Sequence, residues 1–276
     1  MFDPVAIRSG LAPDASLPVT IYCYDQVSST MDLARAAIAT LPPTALPVLI
    51  TAEEQTAGRG RLGRRWIAPP GSALLFSLGL RPPTIATTLP STLIWLATVA
   101  LIETIDATTP LQAGLKWPND VLVYTPRGWA KTAGILLEGS WDNGRLDWAI
   151  IGCGINVSAA PDLSSTLYPA TALGLAGAPA PDRLYLLQVL LQRYDFWFRQ
   201  LQTGNAESLW RTWRERLITL GQTVAINTGR GMIHGEAVDV DRSGALIVRE
   251  PNDVVRTIES GDVGLLSNPR DTISES

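Results

Sequence analysis

Four arginines fall within the eight residues Gly58–Arg65, in a stretch Gln55-Thr56-Ala57-Gly58-Arg59-Gly60-Arg61-Leu62-Gly63-Arg64-Arg65-Trp66 that follows the apolar run Val48–Ala52. The run predicts a strand, and the glycine-rich composition behind it predicts a loop. Gly58-x-Gly60-x-x-Gly63 has the spacing of a dinucleotide fingerprint, but a true fingerprint opens a helix whose N-terminus receives the pyrophosphate. Here the chain runs on to Pro69-Pro70-Gly71, which cannot start a helix directly, so that match is rejected. No Walker-type Gly-Lys-Ser/Thr occurs either. What is left is a loop able to surround several anionic oxygens, because guanidinium forks bind phosphate and carboxylate bidentately. Taken alone, it also fits a solvated basic loop or an RNA-binding Arg-Gly segment.

The rest of the chain reads as a mainly antiparallel α+β fold followed by a small β-domain. Residues 1–19 show no sustained period and read as a short extension. Thr20–Tyr24 reads as a strand, after which Ser29-Thr30 cap an alanine-rich helix to about Thr40, closed by Pro42-Pro43. Ala73–Leu80 alternates as a strand, Leu89–Ala107 reads as an apolar-faced helix, and Gly114–Tyr124 carries strand segments interrupted by Pro118-Asn119-Asp120. The turns Pro126-Arg127-Gly128 and Asp142-Asn143-Gly144 bracket strands Lys131–Gly139 and Leu146–Gly152, a hairpin pattern. Helices are expected at Asp182–Gln202 and Ala206–Thr219. From Gly221 the texture changes to short strands with glycine turns, which predicts an SH3-like barrel. The domain boundaries are thus 1–19 extension, 20–220 catalytic unit, 221–267 β-domain and 268–276 tail.

Composition narrows the function. A net charge of -4 argues against a protein whose main task is to neutralise nucleic-acid phosphates. The residues 222–260 carry more Asp and Glu than Arg, which weighs against RNA binding by the β-domain. The longest apolar stretch, Leu93–Ile102, is shorter than the ~18–20 residues of a membrane span, and the N-terminus lacks a signal pattern. Cys23 and Cys153 lack metal-ligand spacing and read as buried reduced thiols, consistent with a cytoplasmic protein. His234, the single histidine, reads as structural or exposed. Of 22 basic residues only Lys116 and Lys131 are lysine, and a compact ammonium is not interchangeable with a guanidinium.

Both lysines sit in motifs. Lys116-Trp117-Pro118-Asn119-Asp120 sets an amide and a carboxylate after a proline, which inside an apolar strand pattern marks an interruption; read alone, an Asn-Asp turn is more often structural. Lys131-Thr132-Ala133-Gly134-Ile135-Leu136-Leu137-Glu138 opens a strand with a lysine, and Ile151-Gly152-Cys153-Gly154-Ile155-Asn156 ends the next with an asparagine. Small residues there allow a ligand to approach the backbone.

Together with Ser29-Thr30, the Gln55–Arg61 loop and Asp241-Arg242-Ser243-Gly244-Ala245-Leu246, these motifs in this order resemble the biotin–protein ligases over about residues 20–265. The resemblance implies a class II synthetase-like catalytic domain; some members carry an N-terminal helix-turn-helix domain, for which the 19 residues before the first strand leave no room, so a ligase without DNA binding is expected. It implies activation of biotin with ATP and Mg²⁺ and transfer to a lysine of the biotin carboxyl carrier domain of acetyl-CoA carboxylase, with no nucleic acid or membrane partner. Whether the enzyme is a monomer or a homodimer stays open. The biotin site carried over is Ser29, Thr30, Met31, Gln55, Gly58, Arg59, Gly60, Arg61, Lys131 and Gly134, with Ser29, Thr30 and Gln55 at the ureido head and Lys131 at the carboxylate. Members often carry Asn or Gln where this chain has Met31, which leaves its backbone for the contact. The ATP site is Arg61, Arg64, Trp66, Asn119 and Asn156, and the catalytic set is Lys131, Arg59, Arg61 and Asp120, the last as general base or metal ligand. The nearest alternative is a lipoate or octanoate ligase; one of another class is a non-enzymatic RNA-binding protein.

Overall fold

The computed structural model describes residues 2–81, 90–142, 145–161, 168–229 and 231–265. In chain order the elements are α1 (Pro4–Ser9), β1 (Thr20–Val27), α2 (Thr30–Thr40), β2 (Val48–Gln55), β3 (Ala73–Leu80), α3 (Ser91–Thr108), β4 (Ala113–Lys116), β5 (Asp120–Thr125), β6 (Gly128–Asp142), β7 (Arg145–Asn156), α4 (Arg183–Gln202), α5 (Ala206–Glu215), β8 (Thr223–Asn227), β9 (Met232–Val240), β10 (Leu246–Arg249), β11 (Val255–Ile258) and β12 (Asp262–Leu265). Seven strands form one sheet in the order β1-β2-β3-β7-β6-β5-β4, parallel only between β1 and β2. The α+β reading with a mainly antiparallel sheet is therefore correct.

Strand side chains alternate between faces, and here both faces are covered. On one, Val48, Ile50 and Ile150 pack against Met31, Ala34 and Ile38 of α2. On the other, Leu49, Leu74, Phe76, Leu78 and Ile151 join the larger core built with α3 and α4. Ala73–Leu80 is consequently buried at every position, where the sequence reading expected a half-buried strand. Likewise α3, read as apolar on one face, is buried nearly all round. At 18 residues and a mean hydropathy of 1.3 it meets the length and composition of a membrane span, although its unbroken apolar run is shorter. Its Leu93, Leu96, Ala100, Leu101 and Ile105 are instead fully enclosed by protein.

Residues 1–19 are more than a loose extension. Asp3 caps α1 by accepting from Val5 N, and Phe2, Ile7 and Leu17 are buried in the main core. Helix α5 ends at Glu215 rather than Thr219, because the chain turns there to bridge Leu217 to Leu115 of β4. The C-terminal strands pair in the order β11-β10-β9-β8-β12, antiparallel throughout. The expected SH3-like set of strands is present, but the barrel is not closed: among the described residues the four-residue edge strands β11 and β12 share no ladder. The Asn143-Gly144 turn and the 268–276 tail lie outside the described residues.

Three tryptophans fix this small sheet to the rest. Trp117 Nε1 donates to Gly244 O at 2.9 Å and Trp210 Nε1 donates to Asp241 O at 3.0 Å. A Cβ on Gly244 would come within 2.9 Å of Trp95 Nε1. Arg242 covers the Trp210 ring at 3.8 Å, a cation–π stack.

Candidate active site

The α2 face of β7 reads Ile150, Gly152, Gly154, Asn156 towards its end, so side-chain bulk disappears just beyond the part that α2 covers. Gly154 is the cross-strand partner of Gly134 on β6, and the two backbones form the floor of a cavity of about 710 Å³. A Cβ on Gly154 would lie 2.4 Å from Trp66 Cε2, and one on Gly152 would lie 2.7 Å from Met31 Sδ. Glycine is required there by close approach. Thus Met31 contributes a side chain packed on β7. Trp66 lies across the Gly134–Gly154 floor.

One end of the cavity is neutral. Ser29, itself buried, caps α2 by accepting from Met31 N at 3.3 Å. Gln55 at the end of β2 accepts through Oε1 from Thr30 N at 2.8 Å and Thr30 Oγ1 at 3.2 Å, and Thr30 shares a 2.8 Å hydroxyl contact with Ser77. These bonds fix which way round the Gln55 amide sits: its oxygen is occupied and its Nε2 remains as the donor. Gly58 does not line the cavity; a Cβ there would strike Trp66 O at 2.7 Å, so its smallness lets the loop fold back on itself.

The other end is charged. The two lysines of the chain converge on one carboxylate: Lys131 Nζ lies 2.6 Å from Asp120 Oδ1 and Lys116 Nζ lies 3.3 Å from Oδ2. Burial pushes the Asp120 pKa up, but Lys131 and Lys116 more than offset this and hold it below the ordinary 3.8. Such a carboxylate is a weak base at neutral pH, which disfavours the general-base assignment. Among the described residues no group of three His, Cys, Asp or Glu could hold a metal. Asn119 donates to Ile135 O at 2.6 Å and accepts from Arg61 Nη1 at 3.2 Å. Asn156 donates to Thr171 O at 3.1 Å, and its buried Oδ1, at the cavity wall, has no partner among the described residues.

The glycine-rich loop is itself a small hairpin. Gly60 N donates to Arg64 O at 2.7 Å, Trp66 N donates to Gly58 O at 3.0 Å, and Arg59 bridges to Arg65. Its tip turns through Leu62 at φ 56° and Gly63 at φ 73°, the left-handed region that glycine tolerates best. Arg59 pairs at the base with Asp32 and with Glu138, the latter at 3.2 Å. Burial lowers the Arg61 pKa, opposed by Asp120 and Asp262, so that guanidinium holds its charge at a desolvation cost. Arg64 reaches out of the catalytic domain to Asp262, at 3.0 and 3.3 Å.

Every other residue assigned to the biotin, ATP or catalytic set from the sequence lines this one cavity: Arg59, Gly60, Arg61, Arg64, Asn119, Asp120, Lys131, Gly134 and Asn156 join the neutral corner. Sequence reasoning missed Phe76, Tyr168 and the wall given by Ala225, Asn227, Met232, Asp262 and Val263 of the C-terminal sheet. No spacing connects β8 or β12 to a loop some 160–200 residues earlier. His234 is exposed, and Cys153, which does line the cavity, is pushed to a high pKa by burial.

Residues 24–156 match the biotin/lipoate A/B protein ligase family, and residues 219–266 match the biotin protein ligase C-terminal domain. The bifunctional ligase/repressor BirA of Bacillus subtilis is 33% identical over 261 residues, covering 94% of this chain and 78% of that protein. The biotin–[acetyl-CoA-carboxylase] ligase of Paracoccus denitrificans is 35% identical over 208 residues, covering 73% and 84%. Among solved structures, the biotin protein ligase from Aquifex aeolicus in complex with biotin and ATP is similar with a TM-score of 0.72 at 25% identity, covering 90% of this chain and 99% of that one.

Proposed function

The chain belongs to the biotin protein ligase family and is a ligase; on that premise we propose that it converts biotin and Mg²⁺-ATP to biotinyl-AMP and pyrophosphate, then biotinylates the carrier domain of acetyl-CoA carboxylase in the cytoplasm. The observation that carries this reading is a single cavity joining a neutral, hydrogen-bonding corner to a cationic one. A ureido ring offers two N–H donors and one carbonyl acceptor, and Ser29, Thr30 and the Gln55 amide suit it. At the far end a carboxylate must meet a phosphate.

Two anions at 4 Å repel by ~4 kcal/mol at an effective dielectric near 20. Lys131, Arg59 and Arg61 offset that repulsion, and preorganised cations also stabilise the charge that develops during transfer. A carboxylate oxygen of biotin attacks the α-phosphorus; the new P–O bond forms as the bond to the β-phosphate oxygen breaks, and pyrophosphate leaves. Mg²⁺ belongs to the ATP substrate, screening its phosphates. Asp120 holds Lys116 and Lys131 in position, and Lys131 has donors left for the incoming carboxylate. Asn119, Asn156 and Arg64 are assigned to the nucleotide, with the free Oδ1 of Asn156 as an acceptor for one of its donors. In the second step the neutral carrier amine attacks the acyl carbon, forming C–N as C–O breaks; AMP leaves with the electron pair, and the amine's extra proton passes to water or to the departing phosphate. Only about one lysine amine in 2,500 is free at pH 7, so docking must deliver it at high local concentration.

The test is to mix the protein with ATP, Mg²⁺ and biotin or lipoate in turn, together with a carrier domain, and to weigh the carrier. A gain of one biotin, absent when the carrier lysine is replaced, is expected. Gain from lipoate alone would move the protein to the sister activity, and no gain from either would overturn the reading.

A further inference from the structure

The C-terminal sheet lines the cavity, yet nothing in the reaction above uses it. Gly261 and the first residue of β12 hold the glycine-rich loop at its tip: Arg61 Nη1 donates to Gly261 O at 3.4 Å, and Arg64 donates through both terminal nitrogens to the two oxygens of Asp262. The base of the same hairpin is held in the catalytic domain by Asp32 and Glu138. The hairpin is thus pinned at both ends, with Gly60 and Arg61 between the pins and lining the cavity.

We propose that Asp262 is a positioning residue that latches the tip of the glycine-rich hairpin over the cavity, so that biotinyl-AMP is retained until the carrier lysine arrives. The inference rests on the ligase reading. A mixed anhydride exposed to water is hydrolysed or lost, and a closed loop prevents both. The latch must also release, and the Arg64–Asp262 pair suits that need. Its side chains are 53% and 40% exposed, and exposed pairs are weak and screened by salt. The paired donation from a planar guanidinium gives the contact its direction.

The test loads the full-length enzyme with labelled biotin and ATP, removes the excess rapidly, chases with unlabelled biotin and follows labelled adenylate released to solution. Asp262→Asn is expected to release it about fivefold faster at low salt, while Asp262→Glu stays within about twofold of the parent. Raising the salt towards 1 M is expected to bring the parent up to the Asp262→Asn rate, with the variant nearly insensitive, since the screening length falls to about 3 Å. A merely structural residue would lower the melting temperature instead, so that is recorded alongside. Equal release from parent and Asp262→Asn at low salt, or a parent rate independent of salt, would overturn the latch. A parent that forms no labelled adenylate would overturn the ligase reading and the latch with it.

Discussion

The two ends of the cavity are built on opposite principles. At the neutral end Ser29, Thr30, Gln55 and Ser77 bond to each other or to the first turn of α2, so each side chain is oriented before a ligand arrives. At the charged end Lys116 and Lys131 share the one carboxylate of Asp120, which leaves the group with a net positive charge, and Arg61 is held there with a pKa lowered by burial. The neutral end can discriminate, because a buried donor left unmatched is costly; the charged end can accelerate, because its charges are already desolvated.

That division can be broken from either side. Lys131→Ala is expected to slow pyrophosphate release in the first step by about 10²–10³-fold, comparable to losing a preorganised electrostatic donor, with a lower melting temperature as well, because buried Asp120 then keeps only Lys116; a near-normal rate would remove Lys131 from the chemistry. Gln55→Glu keeps the oxygen that Thr30 N needs but replaces the remaining donor, so the KM for biotin is expected to rise on the order of 10²-fold while kcat changes less. If kcat falls instead, the neutral end is also catalytic.

Asp120→Asn tests the charged end through stability. The native pKa of Asp120 lies below its ordinary 3.8, so the carboxylate stabilises the fold at pH values above 3.8, and this contribution is lost as pH falls through the depressed native value. Parent and variant should therefore differ in urea midpoint at neutral pH and converge only under strongly acid conditions; a difference that grows on acidification would reverse the assignment. The smallest effect is expected at Cys153, a protonated thiol held in an apolar wall. Cys153→Ala should change the biotin KM by no more than about threefold, measured in the same assay.

How far the sequence reaches depends on the range of each contact. Helix α2 and its Ser29 cap follow from local rules and are found where the pattern puts them. The motifs before residue 157 fall on strand ends and loops of one sheet, so their order along the chain was enough to gather them. The face of a strand is harder: Ala73–Leu80 looks half-buried until α2 and α4 are known to cover both sides. So is the helix in residues 1–19, which is too short to show a period and depends on packing against α4 and the core. The loop's contacts with Asp262 and Gly261, 198 and 200 residues away, leave no local trace at all.

The turn Asp241–Gly244 has a consequence for anyone who would take the molecule apart. Its backbone carbonyls satisfy two indole N–H groups, and Gly244 sits against a third ring. Cutting the chain near Thr219 would bare three tryptophans of the larger piece at once, Trp117 only two residues from Asn119, and would leave those N–H groups to water. The small sheet is therefore a poor candidate for exchange as a cassette. A graft from a relative would have to bring a turn of the same length with glycine at the same place, or the recipient would gain a sticky surface and lose the wall of its own cavity.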